Sequence, residues 1–517
     1  MICEAWSWSR EGFNQKDEYM TKAALIFSIL LIVNTLYTWL IKNSSKGLAP
    51  LPPGPRGFPL VGNLPFLEPD LNRYFADLAK IYGPIFKVQL GSRLCIVLSS
   101  PSIAKEVLKD HDATFANHDA PAMGLASSYG GVDMFWSPYG EHWRMLRKIS
   151  VTELLSNKRI ESLYGIRQRE GRKLVQTIES MVGIPIVIHD YVNATLFDIL
   201  SGMLWSGSLV GEEKKQITSD FRRYSQRLVN LCGEPNISDV FPFLAIFDLQ
   251  GKGNKMKKLV LWFDKIFDQV IEKRLEMKTV INMDFLQVLL QCRDQVDQKK
   301  TPLTITHIKA LLQDMMLAGT KTSSTTLEWA FAELMQKPHL MKKAQDELDQ
   351  VVGQDNIVEE SHLPKLPYIN ALVKETLRLH PAAPLLVPRC PSESCVIGGF
   401  LVPKGTKILL NAWAIQRDPE YWDNPLEFRP ERFMNSTSDC DYKGTNFSFI
   451  PFGSGRRVCV GVPLAEKMIP YLLAKLLHSF QWKMEEGAKL DMLEAFGLEL
   501  VKKIPLVMIP ISRKCFI

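Results

Sequence analysis

The 517-residue chain lacks most of the short marks by which a function is read from sequence. Its nine cysteines include no Cys-x-x-Cys pair, and their odd number and irregular spacing speak against a zinc ribbon or a disulfide framework. Charge is not concentrated either. An excess of 62 Lys and Arg over 56 Asp and Glu gives +6, but no five like charges run together, so nucleic-acid binding is not indicated. A Gly-x-Gly-x-x-Gly fingerprint for a dinucleotide is missing: "GKGNKM" and "GSGRRV" each stop short of the third glycine. From Asn63 onward there is no internal repeat, no low-complexity tract and no second linker.

One long apolar run is present. Ala23 to Ile41, "AALIFSILLIVNTLYTWLI", is uncharged and flanked by Lys22 and Lys42, long enough to span a bilayer as a helix. The following "KNSSKGLAP" makes a poor signal-peptidase site, so a retained anchor is expected. Lys and Arg are balanced across it, and charge therefore gives no orientation. Residues 1–22 read as a polar tail. Residues 42–64, with Pro52, Pro53, Pro55 and Pro59, read as a semi-rigid linker. The rest, 65–517, reads as one domain. At 46% hydrophobic and 23% charged the chain can fill a sizeable core.

That domain is expected to be mainly α with a minor β portion. His307–Gln336 reads as a long apolar-rich helix, "HLMKKAQDELDQVV" and "YINALVKETLRLH" as shorter amphipathic ones. "IFKVQLG", "CIVLSS", "KILLNAW" and "PLVMIPI" are the strand-like pieces.

The chemistry is carried by "PFGSGRRVCVG", Pro451 to Gly461. A metal-binding cysteine acts as thiolate and needs positive surroundings. Arg457 stands two residues before Cys459, and "GVPLAEKMIPYLLAKLLHSF" reads as a helix whose amide-bearing N-terminus favours negative charge at the sulfur. Pro470 is expected to bend or loosen that helix near Glu466, with its end near Phe480. Gly453, Gly455 and Gly461 permit close approach of a flat ligand. An iron porphyrin with an axial thiolate and carboxylates to neutralise accounts for all of these.

"FGSGRRVCVG" resembles the signature Phe-x-x-Gly-x-Arg-x-Cys-x-Gly of the cytochrome P-450 superfamily, the heme-thiolate monooxygenases, and further segments match in order from the anchor to the C-terminus. The resemblance implies a P-450 fold, with heme b between the long oxygen-activating helix and the helix after the cysteine. It implies Cys459 as the iron ligand, Phe452 in the cysteine loop, and Trp143, Arg147, Arg389 and Arg457 on the heme propionates. Glu375 and Arg378 of "ETLR" and Arg432 of "FRPERF" would form a scaffolding cluster. Finer details are similar to the plant microsomal group for secondary metabolism, with a flavour of its terpenoid-oxidising branch.

On the long helix the superfamily pattern Ala/Gly-Gly-x-Asp/Glu-Thr-Thr/Ser meets Ala318-Gly319-Thr320-Lys321-Thr322-Ser323. Gly319 is expected to leave room for dioxygen. Thr322 is expected to donate a hydrogen bond in oxygen activation, or else to bond back to its own helix. Lys321 replaces the usual acid and is expected to reach solvent or a distant carboxylate.

Electrons must come from elsewhere, by resemblance from an NADPH-cytochrome reductase, steered by Arg144, Lys148, Arg456 and Lys467. The resemblance further implies a single-pass protein of the endoplasmic reticulum membrane, its catalytic domain facing the cytosol. Substrate contacts are expected from Thr114–Trp136, Met315–Thr320, Ala382–Pro388 and Glu494–Leu500, with Met315 and Met316 moulding to a small apolar substrate. A terpenoid is the main expectation and a phenylpropanoid or flavonoid the alternative. A member that rearranges peroxides or dehydrates oximes without a reductase stays open because of Lys321, and a heme sensor without turnover is disfavoured by Thr322.

Overall fold

Apolar periodicity becomes helix along most of the chain. The computed structural model describes residue 28 and residues 49–206, 211–277, 283–294, 302–434 and 440–513. The expected tail and, apart from Ser28, the expected anchor lie outside them. Among the described residues no helix is long and apolar enough to cross a membrane.

Eight helices matter for the site: α1 (Glu141–Glu153), α2 (Ile188–Trp205), α3 (Gly211–Gly233), α4 (Lys252–Glu276), α5 (Ile305–Gln336), α6 (Pro338–Val352), α7 (Pro367–Leu379) and α8 (Val462–Ser479). The mainly helical expectation holds, and α5, α6 and α7 fall where the sequence places them. Helix α5 starts at a reciprocal cap, with Thr304 Oγ1 accepting from the His307 amide and His307 Nδ1 accepting from the Thr304 amide. It stops at Lys337, whose successor Pro338 disfavours a helical residue before it. Spanning 32 residues, about 48 Å, α5 runs through the core with Trp329, Phe331 and Leu334 buried. Helices α2, α6, α7 and α8 pack around it.

The minor β portion is dominated by a five-stranded sheet. Its strands are β1 (Ile85–Leu90), β2 (Arg93–Leu98), β3 (Asn117–His118), β4 (Arg389–Cys390) and β5 (Lys407–Leu410), in the order β1-β2-β5-β4-β3. Strands β1 and β2 pair antiparallel with Ile85 opposite Leu98, and β2 runs parallel to β5 with Cys95 opposite Lys407. Val507–Ser512 forms a strand in a separate small sheet. The two-residue strands β3 and β4 carry His118 and Arg389 toward one place.

The expected linker needs correction. From Pro50 on it is part of the domain: the Lys87 amide donates to Pro53 O at 2.8 Å, Leu401 N to Pro50 O at 2.8 Å, and Asn63 N to Gln89 O at 2.6 Å. A side chain at Gly54 would meet Lys87 O at 2.1 Å, so this glycine is what lets the strap lie on β1.

Helix α8 ends at Ser479, as expected, and carries Pro470 without interruption of the helical run. The missing Pro470 amide leaves the Glu466 carbonyl without its usual helical donor.

Candidate active site

The loop before α8 folds back on itself. The Cys459 amide donates to Phe452 O at 3.0 Å and Val458 N to Gly455 O at 3.0 Å. Gly455 has φ +71°, and a Cβ there would lie 2.4 Å from Leu108 O, so both conformation and space demand glycine. Phe452 stands edge-on to Tyr442, ring centres 5.2 Å apart. Among the seven described cysteines Cys459 alone is exposed. Burial nevertheless raises its thiol. The Gly461 and Val462 amides at the start of α8, and the Arg147 charge, pull the thiol the other way.

Three arginines gather beside this loop. Arg457 donates to the carbonyls of Ala116 (2.6 Å), Met134 (3.2 Å) and Ser137 (2.5 Å). Arg389 donates to Phe115 O and Ser454 O, and Arg147 to Val458 O at 2.7 Å. None of the three is in an ion pair among the described residues. Burial and mutual repulsion with Arg389 and Arg147 bring Arg457 down to about 9, and burial brings Arg389 to about 10. Such a cluster, held by backbone oxygens and short of anions, is built to receive carboxylates. Trp143 joins this cluster. Its indole N–H donates to Met134 O at 3.1 Å, and its ring lies under Arg457 and Arg147.

Along α5 most side chains are buried, but Ala318 is exposed and Asp314 and Thr322 keep accessible surface. At spacings of four these residues form one stripe. The Thr322 hydroxyl donates to Ala318 O at 2.6 Å, the back-bonded state. Gly319 also lets α5 approach α2: a Cβ there would lie 2.7 Å from Leu200 Cδ1. Met316 is fully buried rather than free to mould round a ligand. Lys321 Nζ meets Glu499 Oε2 at 3.5 Å, the distant carboxylate it was expected to find.

Sequence reasoning passed over several residues here. His118 faces Arg457, Arg389 and Arg147, and burial with their charges lowers it well below the usual histidine range. Asp314 and Asp133 hydrogen-bond each other beside Arg457, both raised chiefly by burial. Met134 N donates to Asp314 at 2.9 Å and Trp136 N to Asp133 at 3.0 Å, tying this expected substrate-contact segment to α5. Only the 3.6-residue spacing of Asp314 from Ala318 and Thr322 could have flagged it. Glu494, placed among substrate contacts, is instead bound by Arg73 at 2.7 Å and by His380.

Beneath the site, Arg378 grips Glu375 with two bonds of 2.7 and 2.8 Å, and Arg432 Nε adds a third at 3.1 Å. Glu375 and Arg378 are fully buried and Arg432 nearly so. This is the expected scaffolding cluster.

Residues 52–510 match the sequence pattern described as Cytochrome P450. The chain belongs to the cytochrome P450 family. A flavonoid 3'-monooxygenase of Crocosmia x crocosmiiflora is 38% identical over 95% of this chain and 98% of its own length. A flavonoid 3',5'-hydroxylase of Solanum melongena is 38% identical over 94% and 96%. A zebra fish cytochrome P450 solved with progesterone superimposes with TM-score 0.74 at 27% identity, over 86% of this chain and all of that one. The P450 is therefore an oxidoreductase, an oxygen-dependent monooxygenase whose family cofactor is heme b held by a cysteine thiolate. The residues fit that group: one accessible thiol faced by helix amides, and three arginines without ion pairs among the described residues beside it.

Proposed function

We propose that this P450 hydroxylates a flavonoid or a related small phenolic, with Cys459 as iron ligand and Arg147, Arg389 and Arg457 binding the heme carboxylates. The observation that carries the site is the arginine cluster without an ion-pair partner, next to the one exposed cysteine among the described residues. The substrate class rests on the flavonoid-oxidising relatives, which favour the phenolic alternative over the terpenoid expectation. Helix α5 and the Thr114–Trp136 segment would line the substrate space, and Ala318, with its small exposed side chain, leaves space on the accessible stripe.

When bound, the heme supplies oxygen activation with electrons from a separate NADPH-cytochrome reductase. The chain does the rest. The amides of Gly461 and Val462 and the charge of Arg147 favour the Cys459 thiolate. Thr322 gives its hydrogen to Ala318 O and so presents oxygen lone pairs toward solvent and substrate. Of the four cations expected to steer the reductase, Arg456 is paired with Asp112 at 2.7 Å and Lys467 lies 3.7 Å from Glu161. Arg144 and Lys148 remain as exposed charges on α1, the better steering pair.

Anchorage at the endoplasmic reticulum membrane is proposed from Ala23–Ile41 together with an exposed apolar face. Phe58, Leu60 and Phe66 lie on the proline-rich strap, and Phe243, Ile246, Phe247 and Leu249 on a second loop. The two meet at the turn between β1 and β2, through the Gly62–Leu90 bridge and the Ser92 amide on Val240 O at 3.0 Å. Such a face suits lipid.

The test is expression with a plant reductase in microsomes over flavonoid, phenylpropanoid and terpene panels, with and without NADPH. Hydroxylated phenolics that require NADPH are expected. Products from terpenes alone would overturn the substrate class, and turnover without NADPH would favour peroxide rearrangement.

A further inference from the structure

Monooxygenation consumes two protons for each dioxygen reduced, and they must reach a buried site. Position 321, next to Thr322, carries a cation, so no carboxylate on α5 itself is at hand there. A cavity of about 300 Å³ lies beside it, lined by His189, Asp190 and Asn193 of α2, Arg222 of α3, and Thr320 and Lys321 of α5. It is polar and holds room for several waters. Glu499 Oε2 lies 3.5 Å from Lys321 Nζ, both side chains almost buried. That oxygen has no direct hydrogen-bond partner. The turn carrying it is fixed: Leu500 N donates to Ala382 O at 2.9 Å, and Trp329 of α5 donates its indole N–H to Leu500 O at 3.2 Å.

We propose that Glu499, held in place by Lys321, is the carboxyl through which protons pass from this cavity to Thr322. The proposal rests on the monooxygenase reading and treats both as positioning residues. The Glu499 O–H bond breaks and its proton moves through intervening water to the Thr322 oxygen. Thr322 releases its own hydroxyl proton toward the dioxygen being reduced, and water from the cavity reprotonates Glu499. Electrons come from the reductase, and Lys321 keeps its charge throughout.

The charges around Glu499 suit a group that exchanges protons. Burial raises it, while Lys321 and His189 lower it. His189 in turn stands 3.2 Å from Glu328, and Asp190, Arg222 and Arg223 line the cavity beyond. A loose pair at 3.5 Å leaves the carboxyl free to take up and release a proton without moving its anchor.

The test uses the full-chain holoenzyme, with the thiolate-type carbon monoxide spectrum checking the heme reading separately. Infrared spectra of the resting protein are expected to show a protonated carboxyl that titrates above the ordinary carboxylate range. It should vanish in Glu499→Gln and titrate higher in Lys321→Met, which loses the lowering charge. Product per NADPH should fall about tenfold in Glu499→Gln, with hydrogen peroxide making up the difference, and recover in part in Glu499→Asp. If Glu499→Gln fails to fold, the exchange Lys321→Glu with Glu499→Lys keeps the pair and should keep the titrating band. A wild-type band unchanged by Glu499→Gln, or unchanged coupling in that variant, overturns the proposal while leaving the monooxygenase reading intact.

Discussion

The Arg457 guanidinium lies 4.5 Å from the centre of the Trp143 ring, and Arg147 covers the same ring at 5.4 Å. Two like charges share one aromatic ring, and Arg389 adds a third nearby. Anions relieve this arrangement. Arg457→Leu should therefore release heme faster to an excess of an apo-heme acceptor. A charge-assisted bond of about 1.5–3 kcal/mol corresponds to about ten- to hundredfold weaker retention. Trp143→Phe, which keeps a ring for the cations and loses only the Met134 bond, should release heme far more slowly than Arg457→Leu. Wild-type retention in Arg457→Leu would remove the arginines from the cofactor site.

Cys459 is the second test. Reduced protein with carbon monoxide should show the red-shifted Soret band of thiolate ligation, and Cys459→His should lose it. Cys390→Ser and Cys440→Ser should keep it, because Cys390 is half-buried in β4 and Cys440 is buried, contacted by Asn446 Nδ2 at 3.2 Å. A thiolate band in the histidine variant would move the ligand elsewhere.

Asp314 and Asp133 make a pH prediction. Burial first, and then each other's charge, raises Asp314. A raised carboxyl means that the folded protein holds a proton which the unfolded chain releases. Stability must then fall as pH rises from the ordinary carboxylate range toward the raised value, and level off above it. Asp314→Asn can still donate to Asp133 and accept from the Met134 amide, with no proton to lose. Relative to the variant, wild type should lose about 1.4 kcal/mol per pH unit across that window. Parallel denaturation curves for the two proteins between about pH 5 and pH 8 would show that the pair does not share a proton.

The sequence reaches different depths in different places. The cysteine loop, the Glu375–Arg378–Arg432 cluster and helices α5 to α8 are legible because local pattern dictates them: glycine where φ is positive, a three-residue step between Glu and Arg, apolar residues at helical spacing. The packing of Gly319 against Leu200 is not legible, because Leu200 comes from another helix and no local pattern announces it. The proline-rich strap is misread for the same reason, since its partners on β1 are supplied by the sheet. Lys321 advertises its need for a carboxylate, yet Glu499 stands 178 positions away and only the fold brings it within 3.5 Å. Asp133 and Asp314 are separated by a similar distance in sequence and look, singly, like ordinary surface acids.

Glu494 shows how a residue expected at the substrate instead holds the fold. It accepts from Arg73 at 2.7 Å and from His380 Nδ1 at 3.2 Å, with Arg417 3.5 Å away. His380 reaches Glu333 through its other nitrogen at 2.9 Å and lies flat on Trp329 of α5, ring centres 4.0 Å apart. Burial alone would raise Glu494, but His380, then Arg417 and Arg73, outweigh it and bring it to about 2. A depressed carboxyl stabilises the folded state at pH values above its unfolded value, and that stability is lost as pH falls toward about 2. Glu494→Gln should then cost on the order of 3 kcal/mol at pH 7. The difference from wild type should shrink steadily below about pH 4 and vanish near the folded value. Denaturant titrations at pH 7, 4 and 3 read this directly. A gap that stays constant from pH 7 to pH 3 would mean that packing, not the charge of Glu494, joins this turn to α5 and α7.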